Sequence, residues 1–146
     1  MVTNIPLQLL PIENDGFHLM VEVEINGKKA NLVVDTGASR TVFDEIEIQN
    51  YLNDSTEDFQ ENERLSTGLG TDSMRSQAVE LKSLQLGDFE INDYLALVLD
   101  LTHVKQSYEN LGLPEIQGVL GSDLLKEYHA VIYYQKKLLK LYKRNG

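Results

Sequence analysis

The clearest pattern along the chain is an alternation with a period of two. Phe17, Leu19, Val21, Val23 and Ile25 alternate with His18, Met20, Glu22, Glu24 and Asn26, which predicts a strand with one buried face. Asn26-Gly27 follows as a two-residue hairpin turn, because both residue types tolerate positive φ. Ala30 to Val34 returns as the second strand and delivers Asp35 onto a loop held by a rigid sheet. Thr41-Val42-Phe43 resumes β character. Asn50 to Glu63 is polar, acidic and aperiodic, a surface excursion with room for a short helix. Ser66-Thr67-Gly68-Leu69-Gly70-Thr71 reads as a glycine-flanked hairpin tip. A long β segment runs from about Met74 to Leu86 and closes at Gly87-Asp88. Ile91 to Leu101 is a further strand, with Leu95, Leu97, Leu99 and Leu101 expected on one face.

Thr102 to Leu111 reads as a short helix or turn ending at Gly112. Gln117 to Gly121 is a short apolar run, and Ser122 is expected to cap a helix from Asp123 to about Tyr128. Ala130 to Tyr134 and Leu138 to Tyr142 form a terminal hairpin around Gln135-Lys136-Lys137. The class is therefore all-β, with one short helix near the end and room for another before it. Closure into a barrel would remove most exposed edges.

Composition narrows the function classes. The chain has 146 residues with 42% apolar content, enough for a hydrophobic core and expected to form a single domain over 1–146. There is no cysteine, which removes disulfides, thiolate metal sites and a thiol nucleophile. His18, His103 and His129 show no ligand spacing and read as surface or edge residues, so no metal and no cofactor are expected. The net charge of −10 argues against nucleic acid or an anionic membrane as partner. Acid concentrates in Asn53 to Glu63, read as a solvated loop, or as a rim favouring basic substrates. No apolar stretch is long enough to cross a membrane as a helix. The N-terminus lacks the basic start and apolar core of a signal peptide, so the expected compartment is the cytoplasm.

The chemistry-bearing feature is Asp35-Thr36-Gly37, directly behind the apolar run Leu32-Val33-Val34. By itself the tripeptide is a weak signal. Its surroundings are more specific: Val33-Val34-Asp35-Thr36-Gly37-Ala38-Ser39, then Gly68-Leu69-Gly70, then Val119-Leu120-Gly121 followed by Ser122-Asp123-Leu124-Leu125. In that order these resemble the retropepsin-like aspartic proteases, from about Phe17 to Tyr142. The resemblance implies a closed acid-protease-type barrel, a single lobe with a flap hairpin. It also implies an aspartic endopeptidase that hydrolyses peptide bonds through a water activated by two Asp35 carboxylates. Asp35 occurs in the chain's one Asp-Thr-Gly, and no other aspartate precedes Thr-Gly or Ser-Gly. The expected enzyme is therefore a homodimer acting on peptide or protein substrates.

The resemblance also assigns roles. Thr36 would cross to the partner chain through its hydroxyl, and Gly37 would offer its amide to the carboxylate. Ser39 would help fix the loop. Gly68, Leu69 and Gly70 would form a mobile flap, and Val119, Leu120 and Gly121 would pack behind the catalytic loop. The apolar termini Leu7 to Leu10 and Leu138 to Tyr142 are candidates for an intersubunit sheet. The rival reading is a catalytically silent, dimeric peptide-binding module on the same barrel. A sugar-binding barrel lacks support, since the chain has no Trp for stacking.

Ala38 generates a prediction. Pepsin-like relatives often carry there a serine that donates to the carboxylate, and without that donor the anionic form is less favoured. The pH–rate profile of peptide cleavage is expected to peak at weakly acidic to neutral pH. A maximum below about pH 3, the pepsin-like regime, would contradict it.

Overall fold

The structure is a computed structural model that describes residues 1–52 and 77–144, and the backbone of Gln60–Glu61 between them. The elements in chain order are β1 (Val2–Pro11), β2 (Phe17–Ile25), β3 (Lys28–Val34), β4 (Val42–Asp44), a 3₁₀ turn (Glu47–Tyr51), β5 (Gln60–Glu61), β6 (Gln77–Leu86) and β7 (Phe89–Leu99). After these come α1 (Thr102–Asn110), β8 (Gly118–Leu120), α2 (Ser122–Glu127), β9 (Val131–Tyr133) and β10 (Leu138–Tyr142). Strands β6, β7, β4, β8, β3 and β2 are neighbours in that order, and a further β6–β2 pairing closes them into a six-stranded barrel. The expected fold class is what the chain adopts.

The β2–β3 hairpin turns as its sequence predicts. Asn26 and Gly27 both have positive φ, 50° and 84°, the combination that matches the twist of the flanking strands. Asn26 also works beyond the turn. Its side chain donates to the Tyr51 carbonyl at 2.9 Å and accepts the Ser83 N–H at 3.1 Å, clipping β6 and the 3₁₀ turn to the hairpin.

Two strands depart from simple alternation. Leu19, Val21, Val23 and Ile25 enter the barrel core as expected, but Phe17 is 61% exposed and Met20 is buried. Met20 is covered because α1 lies over the outer face of β2, where Met20 packs with Leu10, Tyr108 and Ile116; Phe17 lies on the other face, at the start of the strand. On β7, Leu95 is exposed, while Leu97, Leu99 and Leu101 join Val42 in a separate outer cluster. Ala96 and Val98 point into the barrel, so the end of β7 is buried on both faces.

The ends of the chain pair with each other. Val2 to Pro6 of β1 pairs with Tyr142 to Leu138 of β10, and Leu7 to Pro11 pairs with β2. β10 also pairs with β9. Of the terminal segments expected to reach a second chain, Leu7 to Leu10 pairs with β2, and Leu138 to Tyr142 pairs with β1 and β9. Among the described residues β9 pairs with β10 alone, as does the Val2 to Pro6 half of β1.

Asp44, fully buried at the end of β4, organises the surface between the barrel and the helices. Its carboxylate accepts the N–H groups of Ile46, Glu47 and Leu101 and the Lys105 ammonium at 2.8 Å. The 3₁₀ turn begins at Glu47 for this reason, earlier than the polar composition suggested. Burial by itself pushes the Asp44 carboxyl up, but the Lys105 hydrogen bond and the backbone donors outweigh it and hold it below its ordinary 3.8. A carboxylate held low contributes stability above its unfolded value and loses it as pH falls through the folded one. Asp44→Ala is expected to cost about 3 kcal/mol at neutral pH in urea melts, since it leaves three backbone donors without their acceptor and Lys105 with only Glu47, 3.7 Å away. The difference from wild type should shrink as pH falls below about 4. An unchanged gap at acid pH would contradict this account.

Candidate active site

The site is built by the way one loop crosses one strand. β8 lies between β3, to which it runs parallel, and β4, to which it runs antiparallel. The chain leaving β3 must therefore pass over the end of β8 to reach β4, and Asp35 to Thr41 is that crossing. Its backbone is tied down on both sides. The Asp35 N–H donates to the Leu120 carbonyl at 3.0 Å, the Ala38 N–H to the Asp35 carbonyl at 3.2 Å, and the Ser122 N–H to the Ala38 carbonyl at 2.7 Å. Gly37 donates its amide to Asp35 Oδ1 at 2.9 Å, as expected for it. Asp35, Thr36 and Gly37 themselves are exposed.

Gly121 sets the clearance. A Cβ there would stand 2.5 Å from the Arg40 carbonyl oxygen and 2.9 Å from that of Ala38. These are backbone atoms of the crossing loop, which cannot swing aside as a side chain can. Leu120 is buried in the barrel core, and Val119 packs against the outer cluster of Val42, Leu97, Leu99 and Leu101. Of the three residues expected behind the loop, Leu120 reaches it through its carbonyl and Gly121 through close backbone approach.

Two residues not singled out for the site complete its support. Thr41 Oγ1 accepts the Gly121 N–H at 3.0 Å and donates to Asp123 Oδ1 at 2.7 Å. Asp123 Oδ2 accepts the Thr41 N–H at 3.0 Å, and Oδ1 also takes the Leu124 N–H at 2.8 Å. Ser122 is the first residue of α2, preceded by Gly121 without a side-chain cap. The expected serine cap is thus replaced by the Asp123 carboxylate, which serves the helix and the loop together. The one legible signal was an acid in the first turn of a helix; its loop partner lies 82 residues away and leaves no local trace.

Asp35 opens into a cleft of about 350 Å³. Leu19, Val33 and Val34 form apolar walls, with Phe17, His18, Thr36, Ile132 and Tyr134 also lining it. Phe17 and Tyr134 are 61% and 58% exposed. His18 Nδ1 lies 2.8 Å from the buried Tyr108 hydroxyl. Burial raises the Tyr108 phenol above its ordinary value, with the Asp35 charge adding to the effect. Two other concavities, one at Glu47, Lys105 and Glu109 and one at Lys126, His129 and Arg144, have volumes of about 390 and 580 Å³. Size does not decide between them; neither contains a motif of the expected chemistry. Among the described residues no three His, Asp or Glu gather as a metal site. The expected flap residues Gly68, Leu69 and Gly70, and the acidic run of Asn53 to Glu63 apart from the backbone of Gln60–Glu61, lie outside the described residues.

The model of the family described as aspartyl protease matches residues 21–124, a span that holds the crossing loop, β8 and the start of α2. The chain belongs to this family. Among solved structures it is similar to a retropepsin-like aspartic protease from Rickettsia conorii, at 19% identity, 97% of this chain, 93% of that one and a TM-score of 0.51. It is also similar to the retroviral protease-like domain of Ddi1 from Leishmania major, at 14% identity, 88% and 90% coverage and a TM-score of 0.53. A third is EIAV protease complexed with the inhibitor HBY-793, at 17% identity, 85% and 99% coverage and a TM-score of 0.54. Among curated proteins none matches. At these identities the likeness is one of fold, and it is the retropepsin-like fold. No helix among the described residues is long and apolar enough to cross a membrane.

The clearance at Gly121 is testable. Gly121→Ala is expected to lower stability by about 1–3 kcal/mol, the usual cost of overpacking. Hydrogen exchange should show the amides of Asp35 and Ser122 losing protection first. A variant as stable as wild type, with those amides still protected, would contradict the packing described.

Proposed function

We propose that this chain is an aspartic endopeptidase, active as a homodimer in which each copy supplies one Asp35. The observation that carries the reading is an exposed carboxylate, at the mouth of a cleft, on a loop whose backbone is fixed from both sides. With one Asp-Thr-Gly per chain, the second carboxylate comes from a second copy. Two carboxylates a few ångströms apart do not both ionise readily, so the pair shares one proton. The ionised member takes a proton from a bound water, and the water oxygen attacks the peptide carbonyl. The protonated member meanwhile donates a hydrogen bond to the carbonyl oxygen. Thr36 and Ser39 support the loop, with Ala38 the residue next to the turn. Gly68, Leu69 and Gly70 are proposed as the flap over the substrate.

Exposure near Asp35 supports a second copy at this face. Phe17 and Tyr134 present aromatic surface beside the carboxylate, and β9, which among the described residues pairs with β10 alone, lies in the same region through Ile132. Exposed aromatic patches and unpaired strand edges are surfaces that proteins usually cover. β9 is therefore proposed for the intersubunit role in place of Leu7 to Leu10 and Leu138 to Tyr142. The whole chain, 1–146, is proposed to act as one domain, supported by the pairing of its two ends.

The test is cleavage of an unfolded protein mixture across pH about 3 to 8, spanning carboxylate-dyad titration. Asp35→Asn is expected to lower cleavage by at least about 10²-fold. Light scattering should give a dimer mass that Tyr134→Asp reduces to a monomer, with activity lost alongside. Equal cleavage by the Asn variant, or full activity in a monomer, would refute the mechanism. Peptide binding without cleavage at any pH would favour the silent binding module.

A further inference from the structure

The cleft contains one imidazole, and the fold holds it in place. The β2–β3 register pairs Met20 with Val33 and Leu19 with Val34. His18 precedes Leu19 and Asp35 follows Val34, so both stand at this end of the pairing and line the same cleft, with His18 on the face of Met20. Beneath that face lies the outer cluster of Leu10, Met20, Tyr108 and Ile116. Tyr108, from α1, is 4% exposed, and its hydroxyl meets His18 Nδ1 at 2.8 Å. The two rings are 5.7 Å apart at 34°. A buried phenol thus anchors an exposed imidazole beside the carboxylate.

The chemistry of that pair selects a ligand. A tyrosine hydroxyl both donates and accepts, so it satisfies Nδ1 in either tautomer. The other nitrogen, Nε2, is then a donor in one tautomer and an acceptor in the other. A carboxamide carries both functions on one side chain and fits either case. A carboxylate fits only the donor, and it would meet Asp35 and a chain of net charge −10. An apolar side chain that filled the cleft would leave Nε2 unpaired.

We propose that His18, positioned by Tyr108, is a specificity-determining residue that favours substrates with Asn or Gln beside the scissile bond. The proposal rests on the reading of Asp35 as the catalytic carboxylate. In a two-fold dimer one His18 falls on each side of that bond. His18 would touch the substrate; Tyr108 acts through His18 and is a positioning residue.

The experiment uses matched peptides that differ only in carrying Gln, Glu or Leu next to the cleaved bond. Wild type is expected to favour Gln over Leu by about threefold to tenfold in kcat/KM, the range of a single partly exposed hydrogen bond. His18→Leu should erase the preference and His18→Gln restore it. Tyr108→Phe should raise KM for the Gln peptide while leaving the Leu peptide unchanged, which a general loss of structure would not do. The same ranking in wild type and His18→Leu, or Glu preferred over Gln, would overturn the proposal. If wild type cleaves none of the peptides, the peptidase reading fails separately. Binding of the same peptides to wild type and His18→Leu then decides: a Gln preference that His18 controls upholds it, and its absence, or no binding, overturns it.

Discussion

Where Gly121 would carry a side chain, the backbone of Arg40 and Ala38 already occupies the space. That close passage of loop over strand end is the constraint on which the rest of the site depends. It arises because β8 sits between β3 and β4, so the connection between those two strands has to climb over it. Hydrogen bonds from Asp35 to Leu120 and from Ser122 to Ala38 close the crossing on both sides. A carboxylate can then be presented to solvent without the loop being free to move. Exposure and rigidity usually oppose each other; here the backbone is fixed while the side chain stays open.

The polar groups around the crossing divide between two jobs. Asp123 and Thr41 join α2 to the loop through bonds of 2.7 to 3.0 Å. Asp44 does the equivalent for the far end of β4, gathering the 3₁₀ turn, Leu101 and Lys105. Each is a carboxylate whose acceptor capacity is spent on backbone donors that would otherwise be buried without partners. Asp35 differs, since Gly37 is its backbone donor and the rest of the group faces the cleft. Three aspartates of the same chemistry are thus separated by their surroundings into two that hold structure and one that opens into the cleft.

The outer face of the barrel is as deliberate as its interior. α1 covers β2 and brings Tyr108 under the cleft, which is how a helix distant in sequence comes to set the orientation of His18. In the layer β1–β10–β9, β9 pairs with β10 alone among the described residues, and the exposed Tyr134 that follows it lines the cleft of Asp35. In that layer the two ends of the chain pair with each other.

Local patterns carried much of this in the sequence itself. Strict alternation over Phe17 to Ile25, the Asn26-Gly27 turn and the apolar run into Asp35-Thr36-Gly37 predicted the hairpin that delivers the carboxylate, because turn chemistry and strand period act over neighbouring residues. The run Val119-Leu120-Gly121 was expected behind that loop on the strength of the resemblance. What only the tertiary structure decided involves partners far apart in the chain. Met20 is buried because Tyr108 of α1 lies over the outer face of β2, while Phe17, on the opposite face at the start of the strand, is exposed. Leu95 lies outside while Leu97 is covered, since burial on β7 follows its neighbours rather than its own period. Ser122 yields the capping role to Asp123 because Thr41 arrives from across the barrel. β10 was assigned to a second chain, yet β1 reaches it first within the same one. In each case the residue's own chemistry allowed more than one arrangement, and the element packed against it chose.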